Sequence, residues 1–297
     1  MDLKTLRLFV AVMETGSITR AAQREHIAVS AISKRLAMLE ARLGSKLFHR
    51  QPEGLEPLPA ASILLRHAHN VLRNLSQMQI EMAEFGEGVR GTVIIAASTS
   101  VAACYLPEEL RAFSLLHPGI TIAVRDALSR EAVQMAAEGT ADFSIFAEPY
   151  SAGALRTLPY KTEKLVAVLP AGHPLAARRS LTLSEMLPFD FVLGRSGSSL
   201  NTILDRAAEA AQLEIRSRVQ VVGNEAIARM VEAGHGLSIL PAALARPRHS
   251  GGMVARPLHE AWAARQLRLC FQPRENLTRP ARLLVEHLTA QDRIVDL

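Results

Sequence analysis

Hydroxyl and cationic side chains share one face of a helical pattern near the amino terminus. Behind that face, apolar residues recur at spacings of four, three and four: Ile32, Leu36, Leu39 and Leu43. This spacing predicts one buried stripe along a helix. Polar and charged residues point away from the stripe or lie at its margin: Ser30, Ser33, Lys34 and Arg35. Short hydroxyls and flexible cations on an exposed helix suit the base edges and phosphates of a DNA major groove.

A shorter helix must hold this face in place. Ser17 is a residue type that accepts from the first free N–H groups of a helix, and Ala21 and Ala22 let a second helix cross closely. A break near residues 26–28 separates the two helices, and Gly44 follows the last apolar position, as expected just past a helix end. We therefore predict a helix-turn-helix. A first helix precedes it, with Phe9 beside an inner stripe: Leu6, Val10 and Met13.

The segment from Lys46 to Pro57 follows the helix-turn-helix and carries Gly54 and two prolines. Such a composition is typical of a tight β-wing. His49 and Arg50 lie at its return. Either residue is alternatively an ordinary exposed charge, and this second interpretation is favoured for His49.

Three segments of this region resemble the N-terminal winged helix-turn-helix of the LysR-type transcriptional regulators: DLKTLRLFVAVMETGSITRAA, SAISKRLAMLE and LGSKLFHR. The resemblance implies that Arg50 approaches the DNA backbone or minor groove. The sequence departs from the family at Glu25, where an apolar residue is usual, and at Val29, which favours contact with a thymine methyl. We predict this DNA-binding set: Ser17, Arg20, Val29, Ser30, Ser33, Lys34, Arg35, His49 and Arg50.

Charge is concentrated in the same region. The net charge of the 297-residue chain is +5. Residues 1–50 hold nine Lys/Arg against four Asp/Glu, so the remaining 25 basic and 25 acidic residues cancel. A positive excess confined to the helix-turn-helix is the footprint of a phosphate-binding module, although a merely soluble basic domain would show the same balance.

A long helix is expected to start at Pro59, because proline is tolerated at the first helical position. Leu58 stands where the family commonly has a capping threonine. Apolar residues then alternate at spacings of four and three: Leu64, Ala68, Val71, Leu75, Met78, Met82 and Phe85. This pattern predicts a coiled-coil seam about 40 Å long, with the core helix of one globular domain as the alternative. The family uses this element as a dimer-forming linker, and a dimer would read double-stranded DNA at a dyad-symmetric site.

Strands and helices alternate from Gly91 onward, which predicts a βαβ arrangement with a largely parallel sheet. The GxGxxG at 86–91 follows a helix and precedes a strand, so it is interpreted as a hinge and not as a nucleotide site. Four further segments resemble the periplasmic-binding-protein-like effector domain of the LysR-type family: LPEELRAFSLLHPGITI, EGTADFSI, GHPLA and EAGHGLSILP.

The expected fold class is therefore α/β, with an N-terminal all-α winged helix-turn-helix, a long linker helix and a two-lobed effector domain. The expected bounds are 1–58, 59–88 and 91–297. Within the last domain, lobe I covers about 91–161 and 268–297, and lobe II covers about 162–267. The two crossings between the lobes are expected near Tyr160–Val166 and Arg265–Phe271.

The cleft between two such lobes is a usual place for a small molecule, at strand ends and helix starts. Free N–H groups and hydroxyls at these helix starts favour a carboxylate or similar anion, and Arg195 can pair with an acidic effector. For each candidate a helix cap or turn residue is the alternative, and for Ser129 and Ser198 a cap is at least as good an explanation. The candidates are: Ser98, Thr99, Ser100, Ser129, Phe146, Arg195, Ser196, Ser198, Gly223 and Asn224.

Other classes of protein fit the sequence less well. Cys104 and Cys270 are too few for a disulfide framework, no metal-ligand cluster has usable spacing, and no cofactor is expected. Gly194-Arg195-Ser196 begins like a nucleophile elbow but lacks the closing glycine, so an enzyme is not expected. No signal peptide or 18-residue apolar run is present, which favours the cytoplasm over the export of a solute-binding protein. The family resemblance favours a homotetramer.

Overall fold

The structure of the protein is a computed structural model, and it describes residues 1–51, 54–83, 89–148, 150–245 and 251–290. The chain divides into two compact units. The first comprises Met1–Gly91 together with Ala137–Thr140, and the second comprises Thr92–Ala136 and the chain from Ala141 onward. Each unit has apolar cores of its own.

Three helices open the first unit: α1 (Leu3–Thr15), α2 (Ile18–Arg24) and α3 (Val29–Leu43). The side chain of Ser17 caps α2 by accepting the N–H of Arg20 at 3.4 Å. Gly16 and Gly44 end α1 and α3 in the left-handed conformation, with φ of 64° at both, and His26 has φ of 54° in the turn between α2 and α3. The predicted helix-turn-helix is confirmed.

The core of this unit differs from the predicted stripes at two places. Leu43 is 42% exposed because it lies in the last turn of α3, beyond the part that packs on α1 and α2. Leu8 and Val12 are buried although they lie outside the predicted stripe of α1. Since α2, α3 and the next helix all pack around α1, that helix is buried on most of its circumference.

A hairpin and a long helix complete the first unit. Strands β1 (Phe48–Gln51) and β2 (Gly54–Pro57) pair antiparallel and form the predicted wing. Helix α4 (Pro59–Ala83) begins at the proline, as predicted, and buries Ala61 and Ala68 against the helix-turn-helix core. Farther along, apolar residues of the predicted seam are exposed: Val71, Met78 and Met82. Phe85 and residues 86–88 of the GxGxxG segment lie outside the described residues.

The second unit alternates strands and helices. Its strands are: β3 (Gly91–Ala97), β4 (Ile120–Asp126), β5 (Phe143–Ala147), β6 (Arg156–Pro170), β7 (Phe191–Leu193), β8 (Ser217–Gln220), β9 (Ser238–Pro241), β10 (Met253–Pro257) and β11 (Ala264–Phe271). Its helices are: α5 (Thr99–Cys104), α6 (Leu106–Leu116), α7 (Ser129–Glu138), α8 (Leu183–Met186), α9 (Ser199–Ala210), α10 (Asn224–Glu232) and α11 (Arg279–Ala290). The predicted helix after Ser98 is interrupted at Tyr105, because Tyr105 leaves helical geometry and α6 restarts with a proline at its beginning. Strand β10 and helix α8 were not predicted.

One long strand joins the two lobes. The first half of β6 pairs with β11 in lobe I, where the strand order continues through β5, β3 and β4. The second half of β6 pairs with β9 and β10 in lobe II. Strands β6 and β11 therefore carry the crossings, as predicted from the sequence.

The prediction of a largely parallel sheet is wrong. Strands β3 and β5 are parallel, and so are β7 and β8. The pairs that β6 and β11 make with each other and with β5, β9 and β10 are antiparallel. The reason is that a chain that crosses to the second lobe and returns runs in opposite directions on its two crossings, which favours antiparallel pairing between them.

Candidate functional site

The exposed face of α3 carries four of the residues predicted to bind DNA. Val29, Ser30 and Lys34 are exposed, and Ser33 is half-buried. Ser33 lies in a shallow depression shared with Phe48 and His49 of the wing. Residues of the helix and of the wing therefore line the same depression.

Two predicted cations on this unit already have internal partners. The Nη1 atom of Arg35 lies 3.1 Å from the carboxylate of Asp2 and 3.0 Å from the hydroxyl of Thr5, so Arg35 ties α3 to the start of α1. Hydrogen bonds from Thr5, followed by the charge of Arg35, lower the pKa of Asp2. The guanidinium of Arg20 donates to the backbone carbonyl of Thr15. Both side chains stabilise the helix-turn-helix itself.

Glu40 joins α3 to the wing. Its carboxylate accepts the N–H of Leu47 at 2.8 Å and that of Phe48 at 3.4 Å, and it lies 2.9 Å from Nζ of Lys46. The side chain is 14% exposed. Burial opposes its ionisation, but the hydrogen bonds from Leu47, Lys46 and Phe48 outweigh burial and lower the pKa of Glu40. A charged side chain thus fixes the base of β1 against the helix.

The remaining predicted DNA-binding residues lie at the edges of this surface. His49 is exposed on β1. The backbone of Arg50 belongs to β1, and its side chain lies outside the described part of the chain. Ser17 is half-buried and engaged as the cap of α2.

A cavity of about 90 Å³ lies between the two lobes of the second unit. Eight of the ten predicted effector residues line it: Ser98, Thr99, Ser100, Ser129, Arg195, Ser198, Gly223 and Asn224. The starts of α5, α7, α9 and α10 therefore converge on one cavity between the lobes.

Several hydroxyls of this cavity are already engaged. Ser98 and Ser198 cap α5 and α9 through the N–H groups of Val101 and Asn201. Ser129 accepts the N–H of Ala147 at 3.1 Å. Ser98 and Ser198 are thus helix caps, whereas Ser129, the first residue of α7, ties that helix to the end of β5.

Thr99 and Asp126 form another internal pair at the cavity. The hydroxyl of Thr99 donates to the carboxylate of Asp126 at 2.8 Å. Helix α10 begins differently, because Gly223 precedes it and no side chain caps its first turn. Its uncapped N-terminus adds positive potential to the cavity wall.

A buried ion pair supports one wall of the cavity. Nε of Arg265 lies 2.6 Å from the carboxylate of Glu163, and Nη1 donates to the hydroxyl of Ser199 at 2.7 Å. The side chains of Arg265 and Glu163 are 5% and 0% exposed. The two residues are direct neighbours on β11 and β6, so the pair couples the crossing strands to the first turn of α9.

A second ion pair crosses the cleft near the solvent. Nη2 of Arg195, in lobe II, lies 2.8 Å from a carboxylate oxygen of Glu131 on α7 in lobe I, and both side chains are 47% exposed. The other oxygen of Glu131 accepts the N–H of Leu128 at 2.9 Å. Beside this pair, the hydroxyl of Tyr150 donates to the carbonyl of Gly197 at 3.2 Å and lies 3.1 Å from the hydroxyl of Thr202. The two lobes therefore contact each other directly, in addition to their connection through β6 and β11.

Two family models together match nearly all of the chain. The model described as a bacterial regulatory helix-turn-helix protein of the lysR family matches residues 3–62. The model described as the LysR substrate binding domain matches residues 86–293. The chain belongs to the LysR family of transcriptional regulators.

Similar proteins agree with this family. The chain is 29% identical over 242 residues to a RuBisCO operon transcriptional regulator of Allochromatium vinosum, a match that covers 81% of this chain and 79% of the relative. It is 28% identical over 285 residues to a probable nitrogen assimilation transcriptional activator of Synechococcus elongatus, with 94% and 91% covered. These LysR-family relatives are regulators and not enzymes, and the chain is likewise a DNA-binding regulator with an effector-binding domain.

Solved structures share the fold. A full-length OxyR variant from Pseudomonas aeruginosa has a TM-score of 0.72 at 22% identity, with 99% of this chain and 95% of that chain covered. Full-length CbnR in complex with its target DNA has a TM-score of 0.67 at 21% identity, with 97% and 99% covered. An N-terminal helix-turn-helix followed along the chain by a two-lobed α/β domain is therefore the fold of LysR-family structures.

Two predicted effector residues do not line the cavity of this LysR-family protein. Phe146 is buried within β5 and packs against Ala136, Ala152 and Cys270. The prediction placed it at a loop end, but Phe146 lies inside β5, where residues of α7, β11 and the segment after β5 cover its side chain. Ser196 is exposed in the loop before α9, outside the lining.

Sequence reasoning missed five residues of the cleft: Asp126, Glu131, Tyr150, Glu163 and Arg265. The sequence does contain a signal for one pair. The first predicted crossing contains a glutamate and the second an arginine, and paired strands favour opposite charges that face each other. The contacts of Glu131 and Tyr150 depend on how the lobes close, for which no local pattern exists.

The LysR-family chain shows no sign of metal or disulfide chemistry in its described part. No group of three or more His, Cys, Asp or Glu side chains is placed to hold a metal ion among the described residues. Cys104 and Cys270 are both free thiols. Burial raises the pKa of Cys270 to about 11, against a smaller opposite effect of its hydrogen bond with Ser144. Within the same residues, no helix combines the length and the apolar character needed to cross a membrane.

Proposed function

We propose that this LysR-family regulator binds promoter DNA as a homo-oligomer and that a small anionic effector in the cleft modulates this binding. The observation that carries the proposal is the cavity between the lobes, which is lined by two arginines, several hydroxyls and the starts of four helices. Hydroxyls, N–H groups and guanidinium groups are the donors that carboxylates bind. We place this activity in the cytoplasm, where the DNA is.

The DNA side of the proposal rests on α3 and the wing. Ser30, Ser33 and Lys34 present hydroxyls and a cation on the face that is not packed on α1. Such a face fits a major groove, with phosphate contacts to position the protein and base contacts to select the sequence. The wing, fixed by Glu40, brings His49 and Arg50 next to the same groove.

The oligomeric side rests on α4. Val71, Met78 and Met82 are more than 40% exposed, although they are spaced by seven and four residues as in a coiled-coil seam. Pairing two such helices would bury these side chains and hold two helix-turn-helix units for a dyad-symmetric site. We further propose a tetramer, which the family resemblance of the sequence implies, with a second interface on the effector domain.

We also propose how effector binding in the cleft changes DNA binding. Arg195 and Glu131 belong to different lobes, as do Tyr150 and Gly197. A ligand between them changes how the lobes pack, and the packing of the lobes sets the geometry of the oligomer on its half-sites. An effector that binds tightly yet leaves the footprint and the bend of the DNA unchanged would contradict this coupling.

One selection experiment tests the DNA side of the proposal. Purified protein is incubated with sheared DNA from its own organism, the retained fragments are sequenced, and the protected length is mapped on the best fragment. We expect an enriched, dyad-symmetric site with an extended footprint. Retention without sequence preference that vanishes as salt rises would show a non-specific binder and would overturn the proposal.

A further inference from the structure

The protein places one of its own carboxylates, that of Glu131, at the cleft. The carboxylate of Glu131 uses one oxygen to accept the N–H of Leu128, at the start of α7, and the other to bind Arg195 across the cleft. The carboxylate is therefore held by a helix N-terminus and a guanidinium. These are the partners that an anionic ligand would also seek.

The two ends of this ion pair stand in different positions relative to the cavity. Arg195 lines the cavity, whereas Glu131 is not among the residues that line it. Arg195 belongs to the loop between β7 and α9 and has a half-exposed side chain, so its guanidinium can turn from the rim to the interior. The other arginine of the cavity, Arg265, is held by Glu163 and is buried. Arg195 is thus the exchangeable cation of the site.

We propose that Glu131 is an internal competitor for Arg195 and sets which effectors the cleft accepts. This inference rests on the proposed anionic effector. Glu131 neutralises Arg195 across the cleft. An anionic ligand gains Arg195 only by displacing Glu131, whereas a neutral ligand gains nothing from the exchange. Glu131 therefore lowers the affinity for anionic ligands and favours those whose interaction with Arg195 exceeds its own.

The expected size of this effect follows from exposure. Ion pairs between half-exposed side chains have interaction energies that correspond to about two- to five-fold in affinity. A competitor of this strength weakens the binding of an anionic ligand without preventing it. The buried pair of Arg265 and Glu163 would be far harder to exchange, because each partner would be left buried and unpaired.

The test compares full-length wild type with Glu131→Gln. Glutamine keeps an oxygen that can accept the N–H of Leu128 but removes the charge. The probes are acetate, malonate and succinate, with acetamide as the neutral control, all at constant ionic strength. Binding is followed by calorimetry and by the fluorescence of Trp262, the one tryptophan of the chain, which lines a shallow groove together with Arg265.

Two further variants separate competition at Arg195 from a general change in charge. Glu108→Gln removes the same charge from an exposed position in the first turn of another lobe I helix, α6. Arg195→Gln removes the cation for which Glu131 competes. A double-mutant cycle over Glu131 and Arg195 then measures whether the two residues act through each other.

We expect Glu131→Gln to bind the carboxylates about two- to five-fold more tightly, with no change for acetamide and none for Glu108→Gln. In the Arg195→Gln background the gain should vanish. If wild type binds a carboxylate and Glu131→Gln binds it no better, or if Glu108→Gln gives the same gain, the competition is refuted and the anionic effector stands. If neither wild type nor Glu131→Gln binds any of the carboxylates, the proposed anionic effector fails, and this inference fails with it.

Discussion

The exposed face of α3 and the cleft between the lobes differ in whether their charged side chains already have partners within the protein. On α3, Lys34 is exposed and makes no ion pair with another described residue. In the cleft, both arginines are already paired with carboxylates of the protein itself, Arg265 with Glu163 and Arg195 with Glu131. The helix surface is thus ready for a polyanion, whereas a ligand of the cleft must exchange an existing interaction.

This difference follows from how each surface is built. The helix surface comes from one contiguous stretch of about thirty residues, so an exposed cation there stays hydrated until DNA replaces its counterions. The cleft comes from distant segments of the chain that meet on folding, and there the buried guanidinium of Arg265 would be costly without a partner. Four predictions test how far the contrast holds.

The largest effect is expected for the buried pair. Arg265→Leu leaves the carboxylate of Glu163 buried and unpaired, which should destabilise the second unit by about 3–5 kcal/mol. Urea unfolding followed by the fluorescence of Trp262 measures this change. Arg195→Leu is the matched variant, and it should cost about 1 kcal/mol or less because its pair is half exposed. Equal losses for the two variants would erase the distinction between a fixed and an exchangeable arginine.

The next effect concerns the charge that anchors the wing. Glu40→Ala removes the acceptor of two backbone N–H groups and should destabilise the first unit by about 1–3 kcal/mol. Folding lowers the pKa of Glu40, so its ionised form stabilises the fold. That contribution is complete above the usual glutamate pKa and is lost as the pH falls through the lowered value.

Urea unfolding of wild type and Glu40→Gln at several pH values checks the sign of this dependence. The difference in the free energy of unfolding should be largest near neutral pH and should shrink on acidification. A difference that grows as the pH falls would mean that the carboxylate is not the stabilising form.

These examples show which parts of the molecule can be predicted from the sequence. The helix-turn-helix was predicted because its signals are local: an apolar spacing, a capping serine and a glycine past the helix end. Leu43 was misplaced because the pattern does not say where packing stops. Arg265 and Glu163 were missed because they are 102 positions apart and meet only when the crossing strands pair. Phe146 was assigned to the cleft because a strand end was placed without knowing which of its residues faces outward.

A smaller effect separates the cations predicted to bind phosphate from a cation that already has partners within the protein. Lys34→Ala and Arg50→Ala should each weaken binding to all DNA sequences alike and flatten the dependence of log K on log salt by about one unit. Arg35→Ala should leave the slope unchanged, because its guanidinium is bound to Asp2 and Thr5. Titrations with one duplex at several salt concentrations give the slopes. A flattened slope for Arg35→Ala would show that this arginine leaves Asp2 to bind phosphate.

The smallest effect is expected for Ser33→Ala, which tests whether the helix surface selects a sequence as well as attracting DNA. The hydroxyl of Ser33 carries no charge and faces the depression between α3 and the wing. Its loss should therefore leave the salt slope unchanged but relax the preference at one base pair of each half-site by about 1 kcal/mol. Selection from a randomised duplex library with wild type and Ser33→Ala measures that preference, and Ala37→Ser on the neighbouring turn of α3 is the control. An unchanged preference would remove Ser33 from the base-reading residues and would leave Ser30 and Val29 as the remaining side chains to test.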